Sequence, residues 1–433
     1  MTRIKNLALN IDAFLSLSKA NLKVATFLAL RYVRRTSPFT SGLTIFIMTL
    51  TFLNLVVVTG ILVGLIEGSS RAYRGQYSGD IMITKNYGKD YIEETPRFIE
   101  TISALPSLDT YSVRYSDRGI AQSNYLQKVN NPNIELNQVG AEIIGINPIN
   151  EDNTTHLSKR IKEGNYLSDN EEGYVLVGAQ LVDRYSTVRF AGFDTMSDVH
   201  IGEKIRIIIN GSPKEMTVKG IIKAKTNPVD LRIYMVDREL RRMLNRSDYS
   251  ANEIAIKLKP GSDPEKVATY LKQSGLSRFG LIRTWEESQG VFFEQIKSTF
   301  NILGNMIGSI ALVVASITVF IVVFITAITR RKYIGILKGI GISGVAIEIS
   351  YVMLSIFYAV IGISIGMVLL YGLIKPYMDL HPINFPFSDG ILVATYTGTI
   401  LRSFLILIAT IIAGYIPARI IVQKNTLDAI LGR

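Results

Sequence analysis

Few residues in this 433-residue chain could do site chemistry, and their spacing excludes most of it. With no cysteine there is no thiolate nucleophile, no disulfide and no Cys-ligated metal. The three histidines, His156, His200 and His381, leave little scope for metal binding. Gly362-Ile363-Ser364-Ile365-Gly366 spells G-x-S-x-G, the pattern of a nucleophile elbow. An elbow needs a strand-turn-helix setting with a histidine and an acid nearby. Here the pattern sits inside a long apolar run that holds no histidine. No Walker A motif, no H-E-x-x-H and no G-x-G-x-x-G after a strand occurs. The expectation is therefore no catalytic residue, no metal site and no cofactor held by this chain.

The elements around these residues belong to a membrane protein. Hydrophobic residues make up 48% and charged residues only 19%, against about 25% charged in an ordinary soluble domain. Long charge-free runs lie between Arg35 and Glu67, between Lys297 and Arg330, between Glu348 and Lys375, and over Ile391 to Tyr415 with Arg402 inside. Each exceeds the roughly 20 apolar residues that cross a bilayer. At least 35 residues precede the first run, so it reads as a signal anchor and not as a cleaved leader.

The formal charge of +11 belongs to these hydrophobic parts, since residues 68–296 hold 30 basic and 30 acidic residues. A neutral soluble stretch offers no basic face, which excludes a nucleic-acid partner. Lys19, Lys23, Arg31, Arg34 and Arg35 precede span one, Arg330, Arg331, Lys332 and Lys338 follow span two, and Arg419, Lys424 and Arg433 follow span four. The positive-inside bias places all three segments, and both termini, in the cytoplasm.

The expected fold is four transmembrane α-helices with a large α+β extracytoplasmic domain inserted between helices 1 and 2. Residues 1–40 form a cytoplasmic amphipathic segment with Leu17, Val24, Phe27 and Leu28 on one face, 41–67 span one, and 68–296 the outer domain. Span two covers 303–329, a cytoplasmic coupling helix 330–348, span three 349–374, an outer loop 375–390, span four 391–416 and a cytoplasmic tail 417–433. Within the outer domain, Asp80–Thr84, Thr110–Tyr115, Glu253–Leu258 and Leu281–Trp285 read as strands and Pro96–Leu105 as a helix. Asp263-Pro264 starts a second helix. Asn210-Gly211 between two alternating apolar runs signals a hairpin inside a β-rich insertion over about 130–245.

Phe293, Ile296, Phe300, Leu303 and Ile307 recur at heptad spacing, a seam on a stalk helix expected over 286–302 and carried into span two. Its partner is either a second chain or span one of the same chain. Gly60, Gly64 and Gly68, with Gly304 and Gly308, have the small-residue spacing that lets helices approach closely in lipid, again within one chain or between two. Arg402 either snorkels outward or pairs with Asp379 or Asp389. The glycosylation patterns at Asn153, Asn210 and Asn245 are of a frequency that chance explains.

The order of one span, a large outer domain and three more spans resembles the permease family that includes FtsX, the MacB membrane region and the lipoprotein-releasing permeases LolC and LolE. The most specific stretch is Arg331-Lys332-Tyr333-Ile334-Gly335-Ile336-Leu337-Lys338-Gly339-Ile340-Gly341-Ile342-Ser343, similar to the family's R-R-E-I-G-I-L-K-A-L-G-A-S. Pro417-Ala418-Arg419 and Thr426-Leu427-Asp428-Ala429-Ile430 look like its P-A-R and D-P-x-x-A-L ending. Leu28 to Tyr32, Glu163 to Leu167 and Thr284-Trp285-Glu286 add to the likeness. Tyr333 stands where the family has Glu, and the fused ATPase of MacB is absent.

The resemblance implies a non-catalytic permease subunit of an ABC transporter. A separate ATP-binding subunit, holding the ATP and Mg, would dock on Arg331 to Gly339, Gly341 and Ser343. A second permease, a copy or a related chain, would complete a dimer. Stalks would then convert ATP-driven motion into movement of the outer domains in a cell membrane, acting on lipoprotein, lipid or amphiphile. Ile334, Leu337 and Ile340/Gly341 are the residues expected to enter the ATPase cleft. The alternative is an FtsX-like regulator that binds a cell-wall hydrolase or an adaptor through the outer domain.

Overall fold

The computed structural model describes residues 20–131, 136–186, 194–381, 384–385, 388–389 and 392–423. Four helices are long and apolar enough to cross a membrane, and an α+β domain is inserted after the first. Helix α1 (20–35) leads into α2 (Pro38–Tyr73). The inserted region carries β1 (Ile81–Thr84), β2 (Leu108–Ser123), β3 (Asn137–Ile146), helix α3 (Pro148–Thr155), β4 (Ile161–Gly164) and β5 (Tyr174–Gly178). It continues with β6 (Lys204–Ile209), β7 (Ser212–Ile222), β8 (Arg232–Val236), β9 (Glu253–Leu258) and β10 (Leu281–Thr284). The remaining long elements are α4 (Gly290–Thr329), α5 (Arg331–Gly339), α6 (Gly344–Leu369) and α7 (Tyr396–Val422). The chain divides into two compact units, one of Met1–Gly64, Ser298–Ile383 and Gly390–Arg433, the other of Leu65–Lys297 and Asn384–Asp389.

In the first unit, small residues decide how closely the helices approach. A Cβ on Gly362 of α6 would sit 2.5 Å from Met48 Cβ, and one on Gly366 would meet the Phe52 ring. The Thr49 hydroxyl donates to the Gly362 carbonyl at 3.1 Å. The G-x-S-x-G sequence is thus a close-packing face against α2. Ser364 is exposed, and its hydroxyl donates to Val360 O of its own helix at 2.7 Å. Gly304 and Gly308 of α4 face Thr59, Leu62 and Leu55 of α2. The Gly60 carbonyl accepts from Val393 N at 3.1 Å, and Gly64 and Gly68 are buried. Gly60, Gly304 and Gly308 are thus packed against neighbours of their own chain. The heptad residues remain on the open side of α4, where Leu303 and Ile307 are exposed.

Several boundaries differ from the sequence reading, each for a local reason. Trp285–Ser288 is a separate turn held by a Thr284/Glu287 capping box, and Gly290 has φ +79°, so the stalk helix begins at Gly290 and not at 286. Gly341 at φ +93° stops the coupling helix. Ser343 then caps α6 by accepting from Ala346 N at 3.2 Å, so 344–348 belong to the span. Span three continues through a π-turn, Leu370–Ile374, into Lys375–Leu380. Helix α7 runs on through Pro417 to Val422. On α1 the buried face is Ala25, Leu28, Ala29 and Tyr32 with Val24 packed beside it, so Val24 and Leu28 of the expected face meet their own bundle, whereas Phe27 is 62% exposed. Leu17 and Thr426 to Ile430 lie outside the described residues.

The second unit is built on one sheet of order β10-β1-β9-β2-β3-β8-β5-β7-β4, with β6 joining β2 to β7. Ile83, Phe98, Leu271 and Ile282 fill one lobe, and Ile143, Val177, Ile207 and Val218 the other. The long strand β2 serves both. It pairs with β9 up to Arg114↔Glu253 and with β3 from Tyr115↔Gly145. Strands β3 to β8 lie inside the expected insertion but are continuous with the rest of the sheet through β2. Asn210 (φ +50°) and Gly211 (φ +78°) close the β6–β7 hairpin, whose last pair is Ile209↔Ser212. Two positive φ values in a two-residue loop are the demand of a type I′ turn, which Asn-Gly meets.

Candidate coupling site

Helix α5 is nine residues long and has two unlike faces. Ile334 is 1% exposed and Gly335 is buried, with Leu337 packed beside them. This inner face joins a core of Leu28, Tyr32, Ile347, Tyr351, Ile421 and Val422. The Lys338 ammonium donates to Val422 O at 2.9 Å, which ties the knob to the end of α7. Ile334 is therefore not available to enter a partner's cleft, because its own chain already covers it, and Leu337 is half-buried beside it. The outer face presents Lys332, Tyr333, Ile336 and Ile340, with Tyr333 67% and Ile340 70% exposed. Spacings of three and four put Tyr333, Ile336 and Ile340 on one stripe. Gly339, Gly341 and Ser343 follow at the exposed end, and Arg331 is half-buried at the start.

The base of the knob is braced by α1. The Arg330 guanidinium lies 5.0 Å from the centre of the Tyr32 ring and donates to Thr36 Oγ1 at 3.3 Å. Tyr32 stacks on Tyr351 at 5.1 Å, and the Ser343 hydroxyl donates to Asn21 Oδ1 at 2.8 Å. Arg330 also closes α4, whose other end carries Phe293, Ile296 and Phe300, each half-buried. Knob and stalk are thus consecutive helices separated by one residue. Arg402 has no carboxylate partner among the described residues, its guanidinium lies beside Gly398, and Asp379 is taken by Lys375 at 2.6 Å.

A second feature was not visible in the sequence. Past Tyr73 the first span helix widens into a π-turn, Arg74–Ser78, that ends in the inserted unit. The Tyr77 ring there lies between two guanidiniums, Arg114 at 5.1 Å and Arg232 at 4.9 Å. Its hydroxyl donates to Glu253 Oε1 at 2.8 Å, and its carbonyl accepts from Arg114 Nη2 at 2.7 Å. Arg114 meets Glu151 through Nη2 at 2.7 Å and Nε at 2.9 Å. Arg232 grips Glu253 at 2.6 and 3.0 Å and Glu142 at 2.8 Å. Burial opposes charge on Glu253 and Glu151, but the arginines and their hydrogen bonds outweigh it and hold both carboxyls below the ordinary range. These residues come from β2, β3, α3, β8, β9 and the π-turn, so no local spacing marks them. Arg232, which opens the otherwise apolar strand Arg232–Val236, is the one member that stands out in its own segment.

The first and last parts of the inserted unit are bonded to each other. Tyr73 OH donates to Ser288 O at 3.0 Å, and Arg74 Nε donates to Asp80 Oδ1 at 2.7 Å. Asp80 Oδ2 accepts from Leu258 N at 2.7 Å, while Asp80 O accepts from Trp285 N at 3.0 Å. This arrangement fastens the exit of span one to the entry of the stalk.

Residues 41–274 match the MacB-like periplasmic core domain, more than half of the chain, and residues 305–426 match the FtsX-like permease C-terminal domain. The chain belongs to the MacB/FtsX-type family of ABC transporter permeases. An uncharacterised ABC transporter permease of Methanocaldococcus jannaschii is 26% identical over 285 residues, which are 63% of this chain and 65% of that one. The inserted domain is similar to the periplasmic region of MacB from Actinobacillus actinomycetemcomitans at 15% identity and a TM-score of 0.33, covering 50% of this chain and 93% of that one. It is also similar to the extracellular domain of YknZ from Gram-positive bacteria at 9% identity and a TM-score of 0.31, covering 47% and 100%. Its family is one of permease subunits with an ATP-binding partner. Four apolar helices and a periplasmic-type domain fit a multi-pass membrane protein of this family.

Proposed function

We propose that this permease transmits the ATP-driven motion of a separate ATPase subunit to its inserted domain, which lies outside the cell membrane and acts on lipoprotein, lipid or another amphiphile. The observation that carries the reading is the direct succession of α5 and the 40-residue helix α4. A knob with an apolar stripe at one end of a single helix can pass a displacement along that helix without a flexible joint. The basic flanks of spans one, two and four support a cytoplasmic knob and cytoplasmic termini, on the side where ATP is supplied. The docking surface is Lys332, Tyr333, Ile336 and Ile340, and the ATP and Mg belong to the partner.

Purification of the full chain from native membranes in mild detergent tests this reading. An ATP-binding subunit is expected to accompany the wild type and to be lost from Tyr333→Ala/Ile340→Ala. A pure permease from wild-type cells would contradict it.

A further inference from the structure

A cavity of about 480 Å³ opens in the inserted unit where β2 changes partners. Arg114 is the last β2 residue to face β9, and Tyr115 is the first to face β3. The cavity lies at that parting, lined by Tyr115 and Arg118 of β2, Glu142 of β3, and Lys85 and Asp90 of the loop after β1. Its volume is that of a small-ligand site.

The wall is fixed by bonds that point away from the hollow. Asn252 is buried, donates to Asp90 O at 2.8 Å and accepts from Ser116 N through Oδ1 at 2.8 Å. Arg246 is held by Asp248 through Nε and Nη2, both at 2.8 Å, and lies 5.3 Å from the Tyr91 ring and 5.8 Å from the Tyr115 ring. Arg232 anchors Glu142 through Oε2 at 2.8 Å.

The groups that line the hollow are, by contrast, unpaired. Tyr115 is only 6% exposed, yet its hydroxyl has no hydrogen-bond partner among the described residues. A nearly buried hydroxyl needs a polar neighbour, which water supplies until a ligand replaces it. Lys85, Arg118 and Asp90 form no ion pair among the described residues, and Glu142 Oε1 accepts no bond there. Two cations and two carboxylates thus share one cavity without meeting. A simple anion would leave the acids unmatched, and a simple cation would leave the bases unmatched.

We infer that this cavity binds a small zwitterion, with its oxyanion against Arg118 and Lys85, its ammonium against Asp90 and Glu142, and a hydrogen bond to the Tyr115 hydroxyl. A guanidinium takes a carboxylate or a phosphate in the same two-pronged way, so a short peptide and the head group of an aminophospholipid share the required chemistry. Lys85 and Asp90 follow β1, whereas Arg118 and Glu142 belong to the β2–β3 ladder. Each charged end of the ligand therefore touches both sides of the parting and ties them together. The site belongs to the inserted domain alone and stands whether or not an ATPase drives it.

Calorimetric titration of the full-length protein in non-ionic detergent tests this, with glycerophosphoethanolamine in one arm and trialanine in the other. Saturable binding of at least one is expected, and the arm that binds names the source. Inorganic phosphate and ethanolamine, each with half of the charge pair, are expected to bind at least about 10-fold more weakly. Arg118 and Asp90 are exposed, so Arg118→Ala and Asp90→Ala should leave melting unchanged while each lowers zwitterion affinity about 10-fold or more. Asp90→Ala should keep the weak phosphate binding that Arg118→Ala removes, a split that a merely structural role would not produce. Tyr115→Phe is expected to cost about 3- to 10-fold. Binding of neither zwitterion overturns the inference, as does phosphate binding as tightly as the zwitterions, or affinity that Arg118→Ala and Asp90→Ala both leave intact. Co-purification of the ATP-binding subunit is untouched by that failure, so the functional reading is judged separately.

Discussion

Glu253→Gln removes one negative charge from the cluster that holds Tyr77. Glu253 accepts from Tyr77 OH at 2.8 Å, from Arg232 at 2.6 and 3.0 Å, and from Arg114 at 3.3 Å. Glutamine keeps one acceptor oxygen and turns an NH2 group toward guanidinium donors. Breaking a buried pair from one side costs about 3–5 kcal/mol, because the opposite charge is left uncompensated. Arg114 retains Glu151 and Arg232 retains Glu142, so the lower half of that range applies. For a unit of this size each kcal/mol moves the melting temperature by about 2–4 °C, which gives a fall of roughly 6–16 °C. Trp285 is the only tryptophan and lies 5.5 Å from the Arg74 guanidinium, so its fluorescence reports this unit within the full-length protein. The effect of pH has a definite sign. The folded-state pKa of Glu253 is depressed, so its stabilisation is full above the ordinary value of about 4.3 and is lost as pH falls below it. A melting shift under about 2 °C at pH 7, or a variant that matches wild type at pH 7 and diverges only in acid, would refute it.

Tyr77→Phe deletes only the hydroxyl and is expected to cost about 1.5–3 kcal/mol, read in the same melt. Asp230 is buried, and burial raises its pKa to about 7 although it accepts from Ala224 N at 2.6 Å. A raised carboxyl favours the folded state below the unfolded value of about 3.9 and penalises it as pH climbs through 7, so Asp230→Asn should melt higher than wild type at pH 8 and alike near pH 4. Ile334→Ala is expected to destabilise by about 2–5 kcal/mol through a cavity, whereas Ile340→Ala changes stability by no more than about 0.5 kcal/mol and reduces recovery of the ATP-binding subunit. Gly366→Leu, which drives a side chain into the Phe52 ring, should abolish monodisperse protein in detergent, while Arg402→Leu leaves it intact.

The four spans, the inserted domain and the Asn210-Gly211 hairpin were legible because each is written in a continuous run of sequence: charge-free length, alternation, or a turn pair. The knob was legible as a segment but not as a surface. Ile334 and Ile336 look equivalent in sequence, and only the packing of α1 and α7 on one side decides that Ile334 is covered and Ile336 is free. The glycine spacings left the partner open for the same reason, since Gly304 and Gly308 carry the pattern and only three-dimensional contact names α2 of the same chain as their neighbour. The Tyr77 cluster was not legible as a site, because its members come from positions 77, 114, 142, 151, 232 and 253 and their burial depends on where β2 changes partners.

Hydrogen exchange of the 281–300 segment, compared with and without ATP in the permease–ATPase complex, addresses the central proposal most directly. An ATP-dependent change in protection is predicted for wild type, with its disappearance in Ile340→Glu. The contrary result is unaltered exchange in wild type during active ATP turnover, or the same ATP response when the knob no longer holds the ATPase.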